Sequence, residues 1–214
     1  MISHFSQVEN CFFERSNLAE PTTPVPHIVV KNVPDLGLLT ALRFLEWTAD
    51  NPQGVISLPT GKTPEYFIKW TQQILANWND TKIEKLRREH GLSVSDKPDL
   101  RQLRFVQIDE FYPIDPQQHN SMFNYVQKFY VNGFGLDPKN CLLINCAEIP
   151  RPSRYLQQDI FPNFIIDLSL RLREPKSDIE KRQKKTIFAV DQWCTEYENQ
   201  IQELGGIGFF LGGI

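Results

Sequence analysis

Apolar positions along this chain recur with two different periods, and the switching between them predicts the architecture. Val55, Ile56 and Leu58 form a short apolar run bounded by Gly54 and Pro59, the pattern of a strand buried on both faces. Residues 103–108, 141–144 and 207–211 read the same way, and the β-branched run His27-Ile28-Val29-Val30 predicts one more strand. Between these runs the period lengthens. Leu38, Leu39, Leu42, Leu45 and Trp47 predict a helix with its N-cap at Asp35 and its end near Asp50-Asn51-Pro52. Tyr66, Phe67, Trp70, Ile74 and Leu75 predict a second helix, with Pro64 suited to its first turn. Met122, Val126, Phe129 and Tyr130 mark a third, capped by Asn120-Ser121. A fourth carries Ile187, Val190, Cys194, Tyr197, Ile201 and Leu204 at steps of three and four, and stops at Gly205-Gly206.

Strands alternating with helices predict an α/β fold: a three-layer, mostly parallel, Rossmann-like sheet with helices on both faces. Residues 1–26 read as an N-terminal extension closing in Pro-rich sequence, and 27–214 as one domain with insertions near 80–100 and 151–185. The first insertion reads as a charged surface helix followed by a loop. In open parallel sheets ligands bind outside the carboxyl ends of the strands. Three such ends are polar or Gly-rich here: Thr60-Gly61-Lys62-Thr63, Asp109-Glu110 and Gly212-Gly213. They are expected to converge on one crevice.

Composition narrows the function classes. The 214 residues are 41% hydrophobic and 23% charged, ordinary for a globular protein, with a net charge of −3. Without a basic excess, nucleic acid is not an expected partner. The run Lys181-Arg182-Gln183-Lys184-Lys185 follows Asp178 and Glu180 and reads as a solvated helix start. Cys11, Cys141, Cys146 and Cys194 lack CxxC spacing and clustered histidines, so they read as thiols in a reducing compartment. No run approaches the roughly 18 apolar residues of a membrane span. A cytoplasmic protein with no membrane partner, metal or cofactor is expected.

The chemistry concentrates at two places. Thr60, Gly61, Lys62 and Thr63 set two hydroxyls, a flexible glycine and a cation before a helix, where backbone N–H groups and the helix dipole favour an anion. A nucleotide P-loop would need a glycine where Ile56 stands. A plain strand-to-helix turn is the other reading. Asp109 and Glu110 follow a strand, and since strand side chains alternate faces, at most one carboxylate can enter a given crevice. Asp109 reads either as a general base or as a turn former. His4, His27, His90 and His119 show neither metal nor triad spacing, and Ser57 and Ser121 lack a nucleophile elbow.

Taken together, Leu58-Pro59-Thr60-Gly61-Lys62-Thr63-Pro64, the strand ending Asp109-Glu110-Phe111-Tyr112, the segment 119–145 and the closing Phe209-Phe210-Leu211-Gly212-Gly213-Ile214 resemble the glucosamine-6-phosphate deaminase/isomerase family. The resemblance covers about residues 28–214 outside the two insertions. It implies that Thr60, Gly61, Lys62 and Thr63 hold the 6-phosphate of a hexosamine phosphate. It implies that Asp109 takes the C2 proton of the opened sugar and returns it at C1, converting glucosamine 6-phosphate to fructose 6-phosphate and ammonia. Glu110, Gly212 and Gly213 would support the site. Lys62 stands where the family usually has glycine and is expected to add a point charge to the phosphate. The family's Asp-Gly-His signature would follow Ile214, so the domain is expected to be incomplete at its C-terminus. The implied partner is a small-molecule sugar phosphate, with a homo-oligomer left open. A 6-phosphogluconolactonase-like hydrolase shares the implied fold, although its pattern more often has Arg after Asp-Glu. A non-catalytic sugar-phosphate-binding protein is the third reading.

Overall fold

The computed structural model describes residues 5–16, 26–150 and 157–213. Much of the Pro-rich stretch, residues 151–156 and Ile214 lie outside the described residues. The chain forms two compact units. The first comprises Met1–Ile108, Asn124–Leu143 and Ile207–Ile214; the second comprises Asp109–Phe123 and Ile144–Gly206.

The first unit is built on a parallel four-stranded sheet: β1 (Val55–Ser57), β2 (Arg104–Val106), β3 (Cys141–Leu142) and β4 (Phe209–Phe210), in the order β3-β2-β1-β4. Ile56 lies between Phe105 on one side and Phe209 on the other, and Phe105 between Ile56 and Cys141. The expected α/β class is therefore the class observed. Each strand is shorter than its apolar run, because ladder pairing extends only where a neighbour runs alongside. The run 27–30 forms no strand: Ile28 and Val30 pack against the core as irregular chain. β-branched side chains favour extended backbone, but a strand also needs a partner edge.

Helix α1 (Gln7–Arg15) lies within the expected extension. Ser6 and Glu9 cap it reciprocally, and Val8 and Phe12 are buried. It packs on α2 (Val33–Asp50), to which a Glu9–Arg43 contact of 3.5 Å also ties it. The N-cap of α2 is Asn32, not Asp35: the Asn32 side chain accepts from the Asp35 N–H at 2.8 Å. Pro34 explains the offset, because its fixed φ and missing N–H suit a first turn that is already helical. Leu38, Leu42, Phe44 and Leu45 make the buried face of α2.

Helix α3 (Glu65–Ala76) crosses α2 so closely that a Cβ on Gly37 would stand 2.4 Å from that of Tyr66. Glycine is required there by the approach of two backbones. Phe44, Phe67, Phe134 and Phe209 then interlock with centroids 5.6–6.0 Å apart. Helix α4 (Thr81–Glu89), in the first expected insertion, buries the Arg87 guanidinium over the Trp78 ring at 3.7 Å. Arg87 also donates to the Val94 and Trp78 carbonyls.

The third predicted helix begins as α5 (Met122–Val126) and continues as a π-helical segment, Gln127–Gly135. The carboxylate that accepts from the N–H groups at its start is that of Glu110, to which Ser121 also donates its hydroxyl. In the second unit, α6 (Gln157–Ile160) and the turn Leu168–Arg171 pack on α7 (Asp178–Glu203), whose N-cap is Ser177. The fourth predicted helix thus starts inside the second expected insertion, and the basic run occupies its opening turns. At its end Gly205 and Gly206 take φ of 83° and 85°, the left-handed conformation a glycine C-cap uses.

Candidate functional site

In the first unit the chain runs outward from β1 to β2 to β3, then returns to place β4 on the other side of β1. The strand order reverses between β1 and β4, and their carboxyl ends form the topological switch point where open α/β sheets bind ligands. Two of the three strand ends expected to carry function meet there. Residues 59–64 leave β1, and Gly212-Gly213 leave β4.

The turn after β1 is anchored at both ends and open in the middle. Pro59 and Pro64 are buried, whereas Gly61, Lys62 and Thr63 are exposed. Gly61 has φ 87°, which a residue with a side chain would adopt only under strain. The Glu65 N–H closes the turn on the Lys62 carbonyl at 3.2 Å, and α3 follows with Pro64 at its N-cap. No side chain caps α3 by a hydrogen bond, and the one carboxylate of its first turn, Glu65, is paired with Lys69. Gly213 closes against this turn: a Cβ there would lie 3.1 Å from Pro59 Cβ and 3.6 Å from Thr63 Cβ. A side chain at 213 would occupy the approach to the turn, so glycine keeps it open.

Behind the turn, two groups that sequence reading did not assign hold it in place. Ser57, fully buried, donates its hydroxyl to the Val106 carbonyl at 2.8 Å and locks β1 to β2. Tyr130, also fully buried, donates its hydroxyl to the Pro59 carbonyl. In the sequence Tyr130 belonged to an apolar stripe. The available signal was its phenol, since a buried tyrosine hydroxyl nearly always finds a partner.

Asp109 opens the second unit, three residues beyond the end of β2. It is solvent-accessible, yet enough of the carboxyl is withdrawn from water that desolvation holds its pKa above the ordinary aspartate value. The neighbouring Glu110 charge pushes the same way. The two adjacent carboxylates do different things. Glu110 accepts from the Ser121 hydroxyl at 2.7 Å and from the backbone N–H groups of Phe111, Met122 and Phe123 at 2.9–3.1 Å. It is thereby committed to capping α5 and to tying residues 109–111 to that helix start. His119 is exposed, and among the described residues no His, Cys, Asp or Glu group is arranged to hold a metal. No helix of the described residues is long and apolar enough to cross a membrane.

No family model matches the chain, and no curated protein sequence matches it. Among solved structures it is similar to a monomeric glucosamine-6-phosphate deaminase described as a missing link of the NagB superfamily, at 14% identity and a TM-score of 0.50. The match covers 83% of this chain and 50% of that one, so the chain spans about half the length of that structure. The likeness is one of fold: the parallel α/β sheet seen here is shared with that deaminase.

Proposed function

We propose that this chain binds a sugar phosphate at the turn formed by Thr60, Gly61, Lys62 and Thr63, and acts in the manner of a glucosamine-6-phosphate deaminase/isomerase. The observation that carries the reading is the anion turn itself: an uncapped helix start at the switch point of a parallel sheet, with Gly61 at positive φ and Gly213 leaving the approach clear. Lys62 adds a positive charge to the exposed part of the turn.

The chemistry assigned to Asp109 follows from its state. An aspartate that binds its proton more readily than usual is a stronger base than an ordinary surface carboxylate. In the ring-opened sugar, removal of the C2 proton gives an enolamine. Return of the proton at C1 leaves an imine at C2, and water replaces the nitrogen to give the ketose and ammonia. A phosphate held at the turn fixes the remote end of the sugar, converting a collision into an oriented encounter. The fold shared with the deaminase supports the reaction class.

Titration with inorganic phosphate and an assay of ammonia release from glucosamine 6-phosphate test the proposal together. Asp109→Asn is expected to keep phosphate binding and lower turnover by about two orders of magnitude or more. Hydrolysis of a 6-phosphogluconolactone, with no ammonia release, would move the assignment to the lactonase reading. Phosphate binding without either turnover would leave a sugar-phosphate-binding protein.

A further inference from the structure

The Tyr130 hydroxyl lies behind the turn and in the core, where no substrate could reach it. The residue has no exposed surface, and its ring packs among Phe105 of β2, Tyr125 and Phe134 at centroid distances of 5.7, 6.0 and 5.2 Å. Its position on the π-helical segment Gln127–Gly135 matters, because π-turns insert a residue and re-aim the side chains that follow. The hydroxyl donates to the carbonyl of Pro59, the residue that opens the anion turn. Burial raises the phenol pKa, so the group stays protonated and remains a donor.

The consequence for the turn follows from peptide geometry. The Pro59–Thr60 bond is trans, since the one cis bond among the described residues is Tyr112–Pro113. In a trans peptide the carbonyl and the following N–H point in opposite directions across a rigid plane. Holding the Pro59 carbonyl toward the core therefore turns the Thr60 N–H away from it. It also fixes the peptide one residue before Gly61, whose positive φ continues the turn. That plane turns about Pro59 ψ and Thr60 φ, neither of which the proline ring fixes, so the restraint has to come from a hydrogen bond on the peptide itself. Tyr130 supplies it.

We infer that Tyr130 is a positioning residue for the phosphate turn: its buried hydroxyl fixes the Pro59–Thr60 peptide and so preorganises the backbone that receives the anion. The inference rests on the reading of the turn as a phosphate site. A purely structural tyrosine would make the same hydrogen bond, and the two roles separate in binding rather than in stability.

The test compares the full chain with Tyr130→Phe and with Phe105→Leu, a variant that loosens the same packing and leaves the hydroxyl in place. Inorganic phosphate is titrated into each, thermal melts are recorded, and KM and kcat are measured with glucosamine 6-phosphate. Tyr130→Phe is expected to melt cooperatively, bind phosphate about three- to tenfold more weakly and raise KM by the same factor at unchanged kcat. Phe105→Leu is expected to melt earlier with phosphate affinity retained. In the wild type, phosphate is expected to move the amide resonances of Thr60 and Gly61, a measurement that needs no variant. Wild-type affinity in Tyr130→Phe, equal loss of affinity in both variants, or silent Thr60 and Gly61 amides in a phosphate-binding wild type would each overturn the inference and leave the site reading standing. A wild type that binds no phosphate would overturn both.

Discussion

At the scale of single residues, Lys62 and the pair Asp109-Glu110 carry the testable chemistry. Lys62 is exposed and next to a glycine at positive φ, so its ammonium can reach an anion without displacing the backbone. Replacing it by glycine is expected to weaken phosphate about threefold at low salt, with the difference shrinking as ionic strength rises. Affinity titrations at two salt concentrations check this; unchanged or tighter binding in Lys62→Gly would mean that the side chain crowds the turn. For Asp109 the sign runs in one direction. Its pKa lies above 3.8, through desolvation first and the Glu110 charge second, so activity as a base falls as pH drops through that raised value. Glu110→Gln removes the second cause and keeps the first. The acidic limb of kcat/KM is expected to move toward lower pH while staying above 3.8. The same variant weakens the cap on α5, at a cost of about 1 kcal/mol in stability. Conversely, the raised pKa means that Asp109 favours folding most below 3.8 and loses that contribution as pH rises through its folded value. Asp109→Asn should therefore be slightly more stable than the wild type at neutral pH.

Elements show what the sequence made legible and what it did not. The four strands of the sheet were readable because apolar runs bounded by Gly, Pro or Asp have few other solutions. Their lengths were not, since a ladder ends where its neighbour ends. The run 27–30 carried the right residues and found no edge. The expected start of α2 lies three residues late because Asn32 and Asp35 are both good caps, and Pro34 in the first turn arbitrates for Asn32. At the site, the turn 60–63 and Gly213 could be read from local composition. Glu110 as a cap and Tyr130 as a clamp could not, because their partners are 12 and 71 residues away. The second unit offers an element-scale test. Arg173 clasps Asp167 and Glu180 at 2.5 and 2.8 Å, beside the start of α7. Arg173, with the Lys176 N–H second, pushes the Glu180 carboxyl from 4.5 down to about 2. That interaction contributes stability above pH 4.5 and loses it as pH falls toward about 2. Arg173→Ala is expected to flatten the loss of stability across this window, followed by chemical denaturation at several pH values. Because the pair is exposed, the effect is expected to be small and to fade with salt.

At the scale of the whole molecule, the sheet order couples the turn after β1 to the last described strand. β4 reaches β1 only after the chain has traversed the second unit, yet it supplies the wall of the turn through Gly213 and a share of the core through Phe209. Phe209 packs on Phe44 and Trp47 with centroids 5.6 and 5.4 Å away, and its neighbours Gly208 and Leu211 hydrogen-bond to Val55 and Ser57 across the ladder. Truncating Phe209 to alanine should cost about 2 kcal/mol, below the usual figure for a fully buried phenylalanine because this one is only half-buried. If β4 serves the core alone, phosphate should stabilise the variant as much as it stabilises the wild type. If the strand also holds Gly213 in place, the loosened edge lets the turn lose its wall. The gain in melting temperature from a fixed phosphate concentration then falls, because stabilisation by a ligand scales with the logarithm of its affinity. Melts of wild type and Phe209→Ala with and without phosphate distinguish the two, and the second outcome is the one expected, since a Cβ at Gly213 would come within 3.1 Å of Pro59 Cβ.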